Sequence, residues 1–405
     1  MFSLHDSIET FLDGFDRHGL YPDVGTITGG VNEPVCRMNG IEHLMFGAND
    51  YLGLSQHPRV KAAANRAIEA YGTGPGASRL VAGNLDVIEE LERRIAALTG
   101  TEDCLTFPTG YMANASVLRA LMDPFLDREP RSSRESIIFL DVHSHGSVFD
   151  GASGCEAKKV LFRHDNLLDL EAKLQQHAEI PNKLIVTEGV YCLYGEVIHI
   201  PDYVSLARKY GATLMVDDAH GVGVLGTHGG GIGEHFGCQG GIDVLMGCMD
   251  KAFGGTGGYL CGKRSLIRYL RIACRSSVLS SAIPAGMAGA MCEAATLIHD
   301  GHDLRERLFA NAASLRAQLL EAGFELVTRD RLPSVVLRIG AEALGIEFSR
   351  QLREQRIYCP LIRWPGVAKG DSRLRINLSA LHQPEHLEAF VIACVRARAS
   401  VDWPK

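Results

Sequence analysis

Apolar positions in this chain follow two alternating rhythms. Short apolar runs of strand length fall at 104–107, 136–140, 159–162, 184–187, 213–216, 244–246 and 258–261. Stretches with the three-to-four-residue spacing of amphipathic helices separate most of them. Strands apolar on both faces and alternating with helices predict an α/β fold, a mostly parallel sheet covered on both sides. Ahead of the sheet, Leu4, Ile8, Phe11, Leu12 and Phe15 share one face of a helix predicted over 3–18, with Ser3 and Asp6 placed to cap it. Residues 40–54 read as extended, 58–71 as helix, 72–79 as a glycine-rich loop and 85–99 as helix. Beyond the sheet the pattern predicts helices over 285–302 and 303–322, then strands at 324–328 and 334–339. A helix at 347–356, a strand at 373–378 and a closing helix at 384–398 follow. The polar, proline-bearing segment 123–135 reads as a surface loop.

A chain of 405 residues exceeds a comfortable single core. The pattern divides it into an N-terminal helix and arm (1–50), a large domain (51–295) and a smaller C-terminal α/β domain (296–405). The net charge is −7 with both signs interspersed, and no basic tract can track a phosphate backbone, which argues against nucleic acid. No apolar run reaches membrane-span length, and the N-terminus lacks the pattern of a signal peptide. Eleven cysteines without a CxxC pair predict reduced thiols and a cytoplasmic setting.

Open parallel sheets bind ligands beyond the C-terminal ends of their strands. Gly110, His145, Glu188, Asp217, His220 and Lys251 fall there. Lys251 stands among glycines in Met-Gly-Cys-Met-Asp-Lys-Ala-Phe-Gly-Gly-Thr-Gly-Gly-Tyr-Leu, residues 246–260. Asp217 and His220 close the strand before it, in Val-Asp-Asp-Ala-His-Gly. A buried strand-end acid that can pair with a pyridinium nitrogen, and a lysine that can form a Schiff base, point to pyridoxal phosphate (PLP). Burial and a nearby cation are expected to keep Lys251 partly neutral. Asp218 should point away from Asp217. In Thr-Phe-Pro-Thr-Gly-Tyr (106–111), amides at a helix start suit a phosphate, Gly110 allows close approach and Tyr111 offers a ring; an ordinary strand-to-helix turn would read the same way. His143 and His145 share a face of an extended chain. One of them lies on the PLP ring in this reading. In a rival reading, His143, His145, His220 and Asp217 ligate the metal of a hydrolase. Gly72, Gly74 and Ala77 match a dinucleotide-binding pattern, but a helix precedes them, so a tight connection explains them better. Arg373 and Arg375 face one side of a late strand, where one could grip a carboxylate.

These residues together resemble the α-oxoamine synthase family, a branch of the fold-type I PLP enzymes. The resemblance runs almost end to end. It rests on Asn49-Asp-Tyr-Leu-Gly-Leu54, Gly76-Ala-Ser-Arg79, Thr109-Gly-Tyr111, Ser144-His-Gly-Ser147, Thr187-Glu-Gly-Val-Tyr191, Asp217-Asp-Ala-His220, Lys251-Ala-Phe-Gly-Gly255 and Arg373-Leu-Arg375 with His382. It implies a fold-type I transferase that joins an amino acid to an acyl thioester, delivered by CoA or a carrier protein, and releases carbon dioxide. By that resemblance Lys251 holds PLP, Asp217 pairs with the ring nitrogen, His145 stacks on the ring and His220 contacts the phenolic oxygen. Gly110 and Tyr111 lie near the phosphate and ring, and Glu188 joins the cofactor's surroundings. Arg375 binds the substrate carboxylate, with Asn49 and Arg363 as further substrate contacts. The family is dimeric, which implies that Ser280 or Ser281 reaches the partner's phosphate. The chain departs from the family pattern in Cys192-Leu-Tyr194-Gly195, in Ile88, in Cys248 where a threonine commonly binds phosphate, and in Asp250 before the lysine. Those departures point to a specialised biosynthetic role and leave an aminotransferase outcome open.

Overall fold

The computed structural model describes residues 3–17, 25–30, 33–123, 135–328 and 330–403. Its centre is a seven-stranded sheet in the spatial order Asp103–Phe107, Gly258–Gly262, Val244–Cys248, Thr213–Asp217, Asn182–Glu188, Ser136–Asp141, Lys158–Phe162. The expected parallel sheet is there, with one exception: Gly258–Gly262 runs antiparallel to both neighbours. Alternation along each strand explains why both faces are apolar. Ile137, Phe139, Ile185, Leu214 and Val216 feed one core, while Ile138, Leu140, Leu184, Val186 and Met215 feed the other.

Helices Gly110–Met122 and Gly146–Ser153 cover the second face through Val117, Leu118, Val148 and Ala152. Helices Asp86–Thr99 and Ala285–Asp300 cover the first. The latter lies close against Pro58–Tyr71 because of its glycines: a Cβ on Gly286 or Gly289 would sit 2.7 Å from Ile68 or Ala67.

A smaller antiparallel sheet pairs Ser334–Gly340, Ser372–Asn377 and Leu361–Ile362. The N-terminal arm does not stand apart from the C-terminal half. Ile41–Met45 pairs in parallel with Ile357–Tyr358, completing a sheet with Val35–Met38 and Ile27–Thr28. Leu4–Arg17 forms the expected helix, with Ser3 Oγ accepting from the Asp6 amide at 3.1 Å, yet none of its residues is buried.

Three expectations need correction. The strand predicted at 324–328 reduces to a single bridge, Leu326 to Leu337. There the Thr328 hydroxyl, rather than a backbone carbonyl, accepts the Val336 amide. The stretch 40–54 is extended only to Met45 and then turns into a short 3-10 helix, Leu54–Gln56, fixed by Asp50 accepting the Leu54 and Ser55 amides. The helix predicted from 347 begins five residues earlier, as Glu342–Glu354, its glycine at 345 packed against Ser372 and Leu361. The loop predicted at 123–135 lies largely outside the described residues. No helix among those described is long and apolar enough to cross a membrane.

Candidate active site at the strand ends

Register brings the site together. Asp217 pairs with Glu188 on one side and Met246 on the other, so three strand ends share one edge. Cys248 ends the third strand, opposite Gly258. A Cβ on Gly258 would lie 2.5 Å from Gly110 Cα, and one on Gly110 would lie 2.2 Å from Cys248 Sγ. Both glycines are needed to draw the start of helix Gly110–Met122 onto this edge. Thr109 caps that helix by accepting from the Met112 amide. The amides of Gly110 and Tyr111 have no intrahelical acceptor in a first turn, which leaves an anion-binding end beside Cys248. The Tyr111 hydroxyl donates to Asp150 at 2.7 Å, tying this helix to Gly146–Ser153.

A chain of hydrogen bonds leads from the buried Asp217 to His145. Asn114 Nδ2 donates to Asp217 Oδ2 at 2.8 Å and contacts Ser147 Oγ at 3.0 Å. Ser147 Oγ lies 2.7 Å from His145 Nδ1, which also accepts the Ser147 amide. Because that amide can only donate, Nδ1 is an acceptor and the neutral ring carries its proton on Nε2. The His145 ring itself is exposed. The Ala219 amide holds the other Asp217 oxygen at 3.1 Å. Asp218 turns away, as expected, to accept the Ile232 amide at 2.7 Å. Burial and the Asp217 carboxylate push Glu188 well above the usual carboxyl range.

Lys251 is 12% exposed and lies 3.4 Å from Asp250. Burial opposes its charge, but Cys248, Asp250 and Asp217 outweigh burial and raise its pKa. Burial pushes the Cys248 thiol itself up, so at working pH the Asp250 and Asp217 carboxylates are what act against burial to favour the ammonium, correcting the expectation of a partly neutral amine. Burial and the nearby Lys251 and Arg375 push His220 well below its ordinary value, so this ring is neutral. Arg375 reaches only the Cys192 thiol, at 3.7 Å, and its buried Nε has no hydrogen-bond partner. It is a cation without a carboxylate among the described residues. Arg373, on the same side of the strand, is taken by Asp371, the Leu193 carbonyl and the Tyr194 ring. The Asn377 amide donates to Asn49 Oδ1 at 2.7 Å. Arg363 follows Leu361–Ile362, whose Ile362 pairs with Arg373. Ser280 is half-buried and Ser281 exposed.

The rival metal set does not assemble. Among the described residues the cluster within metal-ligating reach is Asp141, His143 and His164, without His145, His220 or Asp217. The chain is not extended past Asp141, because the His143 amide turns back to Asp141 Oδ1. His143 and His145 consequently part: His143 stacks on Tyr194 with ring centroids 4.0 Å apart. His164 commits both nitrogens, one to Asp141 at 3.0 Å and one to Glu196 at 2.8 Å. That is an imidazolium salt bridge.

Sequence reasoning missed Asn114, Ser147 and Tyr51 as site residues. Helical spacing puts Asn114 on the face of Gly110, a signal that was there to be used. Ser147 and Tyr51 lie inside quoted motifs, but only the fold shows which atoms they meet.

The residues present suit PLP. An anion-binding helix start, a buried carboxylate, an exposed imidazole and a buried lysine surround one edge, and Gly110 leaves no side chain in the cradle. Residues 41–393 match the family model of aminotransferase class I and II. The chain is 38% identical over 379 residues to an 8-amino-7-oxononanoate synthase of Citrifermentans bemidjiense, covering 93% of this chain and 94% of the relative. It is also 38% identical over 360 residues to the 4-hydroxy-2,2'-bipyrrole-5-methanol synthase PigH of a Serratia species; that match covers 88% of this chain but only 53% of the longer relative. A solved serine palmitoyltransferase from S. paucimobilis, with a PLP–myriocin aldimine bound, superposes with a TM-score of 0.89 at 27% identity, covering 98% of this chain and 97% of that one. The chain belongs to the aminotransferase class I and II family and, within it, to the α-oxoamine synthases.

Proposed function

We propose that this protein is a PLP-dependent acyltransferase that condenses an amino acid with an acyl thioester, with loss of carbon dioxide, to give an α-aminoketone. The observation that carries the reading is the convergence of Lys251, Asp217 and His220 at one sheet edge, with the carboxylate-free Arg375 brought beside His220 from the small sheet. The relatives' names give the reaction class; the pocket supplies the parts.

The amides of Gly110 and Tyr111, with Cys248 beside them, would hold the phosphate. Asp217, fixed by Asn114, would pair with the ring nitrogen, His145 would stack on the ring, and His220 would donate to the phenolic oxygen; Glu188 lines the same edge. Bound there, PLP supplies an electron sink for the carbanion formed at the amino acid's α-carbon. Arg375 would grip the substrate carboxylate as a fork, with Asn49 and Arg363 completing the substrate contacts. Lys251 would hold the cofactor, and its Nζ is the group placed to take the α-proton. The acyl thioester then receives the carbon, its thiol leaves and carbon dioxide departs. We read residues 51–295 as the cofactor-carrying unit and 296–405 as the unit that delivers Arg375.

The active form is a homodimer in this reading, with Ser280 or Ser281 reaching the partner's phosphate. Exposed Leu80, Val81 and Leu279 support it, because an Ala282–Ala77 backbone hydrogen bond joins their two segments. Eleven free cysteines suit a reducing, cytoplasmic setting. The test is a panel of amino acids and acyl thioesters, with thiol, carbon dioxide and product mass followed together. Thiol and carbon dioxide in equal amounts support condensation. Keto acid with pyridoxamine phosphate, and no thiol, would establish an aminotransferase instead.

A further inference from the structure

Behind His220 lies a polar chain that the proposed reaction does not explain. Tyr51 Oη is 2.7 Å from His220 Nδ1 and 3.4 Å from Ser334 Oγ. Ser334 Oγ donates to Asn377 Oδ1 at 2.8 Å, and Asn377 Nδ2 donates to Asn49 Oδ1 at 2.7 Å. Ser334 and Asn377 face each other in register on adjacent strands of the small sheet, while Tyr51 and Asn49 come from the segment before Leu54–Gln56. The chain therefore joins three separate parts of the sequence to the histidine after Asp217.

Its direction follows from its geometry. The Ser334 proton is committed to Asn377, and the Tyr51–Ser334 contact is long. The single phenolic proton then goes to the short contact, His220 Nδ1. Burial, with the Cys192 thiol nearby, raises the Tyr51 phenol to about 12, so it stays a donor across the working range. Lys251, Arg375 and His145 are the charged or titratable groups acting on His220, and Cys192, Arg375 and Lys251 those acting on Tyr51.

We propose that Tyr51 is a positioning residue: its hydroxyl holds His220 as the Nε2–H tautomer, the form that can donate from the nitrogen facing away from Tyr51. This rests on the proposed function for what His220 then does. The structural part stands without it.

The decisive experiment uses protein labelled with ring-15N histidine, with and without PLP, and His220→Gln to assign the signal. In the unaltered protein His220 should show a hydrogen-bonded, unprotonated Nδ1 and a protonated Nε2. Tyr51→Phe should remove the hydrogen-bonded Nδ1 signature and yield a tautomer mixture. With PLP bound, the same variant should shift the pH titration of the visible chromophore. It should also lower kcat about tenfold, the scale of one oriented hydrogen bond, with KM for the amino acid little changed. Ser334→Ala removes only a long second contact of Tyr51 and should leave both signals in place, so it controls for a packing defect in this region. A protonated Nδ1 on His220 in the unaltered protein, or an unchanged His220 spectrum in Tyr51→Phe, overturns the proposal. A rise in KM alone also overturns it, making Tyr51 a substrate contact. Failure of the unaltered protein to bind PLP would sink the proposed function instead, leaving the tautomer result to stand or fall separately.

Discussion

Two buried charged clusters in this molecule are built from the same kinds of residue and do opposite things. Around Glu92 every charge is matched. Arg79 grips it with both terminal nitrogens, at 2.7 and 3.1 Å, Arg271 adds a contact at 2.9 Å, and the Thr106 amide a fourth at 2.8 Å. Around Lys251 the pairing is incomplete: Arg375 has a thiol for a neighbour, and the lysine has one long ion pair, 3.4 Å to the exposed Asp250. A closed cluster has no capacity left for a ligand, and an open one is costly unless a ligand completes it. Sequence motifs quote Arg79 and Arg375 alike, so only the partners separate a structural arginine from a working one.

The largest effect that would test this contrast comes from Lys251→Ala. Turnover should fall on the order of 10⁴-fold or more, because both the covalent anchor and the proton carrier are lost. Single-turnover thiol release checks the rate. The absorbance of purified protein incubated with PLP checks the attachment. Stability in urea should fall only modestly, because the cation's pairing with Asp250 and Asp217 is lost together with its burial cost. A large stability loss with residual turnover would mean that Lys251 belongs with the structural cluster.

Glu92→Gln probes the other side. It leaves Arg79 and Arg271 facing a neutral amide in a site where Glu92 is 3% exposed. Breaking a buried pair of this kind costs about 3–5 kcal/mol of folding stability. Denaturant unfolding should show that drop, while the protein that remains folded binds PLP with unchanged affinity. Normal stability with lost PLP binding would reverse the two roles.

How much of this contrast was legible in the chain depends on the kind of information involved. The sheet was legible because strands buried on both faces write continuous apolar runs, and the strand-end position of Asp217 followed from them. The orientation of Gly258–Gly262 was not, since antiparallel and parallel core strands carry the same apolar signature. Lys251 stood out through its glycines. Its charge state did not, because that depends also on Asp217, which register rather than sequence distance brings near. The His143–His145 spacing suggested a shared face only on the assumption of extended backbone, and one hydrogen bond to Asp141 undid it. Tyr51 and His220 are 169 residues apart, and no local pattern announces such a pair.

Arg375→Ala sharpens the open side. If this cation waits for a substrate carboxylate, its loss should weaken amino-acid use by about 2–5 kcal/mol, read as a raised KM with a smaller change in kcat. Arg373→Ala is the matched control, because its guanidinium is already taken by Asp371 and Leu193. It should cost stability and leave KM nearly unchanged. Equal effects on KM would show that pairing within the protein does not distinguish working from structural arginines here.

The smallest effect concerns a third cluster, closed like that of Glu92 but titratable. Burial alone would lower the pKa of His164, yet hydrogen bonds and charge from Asp141 and Glu196 raise it from 6.5 to about 9. A raised folded-state pKa contributes stability that is complete below the unfolded value and is lost as pH climbs through the folded one. The window is thus pH 6.5 to 9. The limit is roughly 3 kcal/mol, from the size of the shift at 1.36 kcal/mol per unit. Urea midpoints measured across that window should fall in the unaltered protein by a component absent from His164→Gln. Zinc distinguishes the salt bridge from a metal site with the same residues. A salt bridge predicts that added zinc leaves the midpoint at pH 9 where it was, whereas three free ligands would raise it as the imidazolium proton is lost. A midpoint that rises with zinc and falls with chelator would return Asp141, His143 and His164 to the list of open clusters, and the distinction drawn from hydrogen-bond partners would fail at this site.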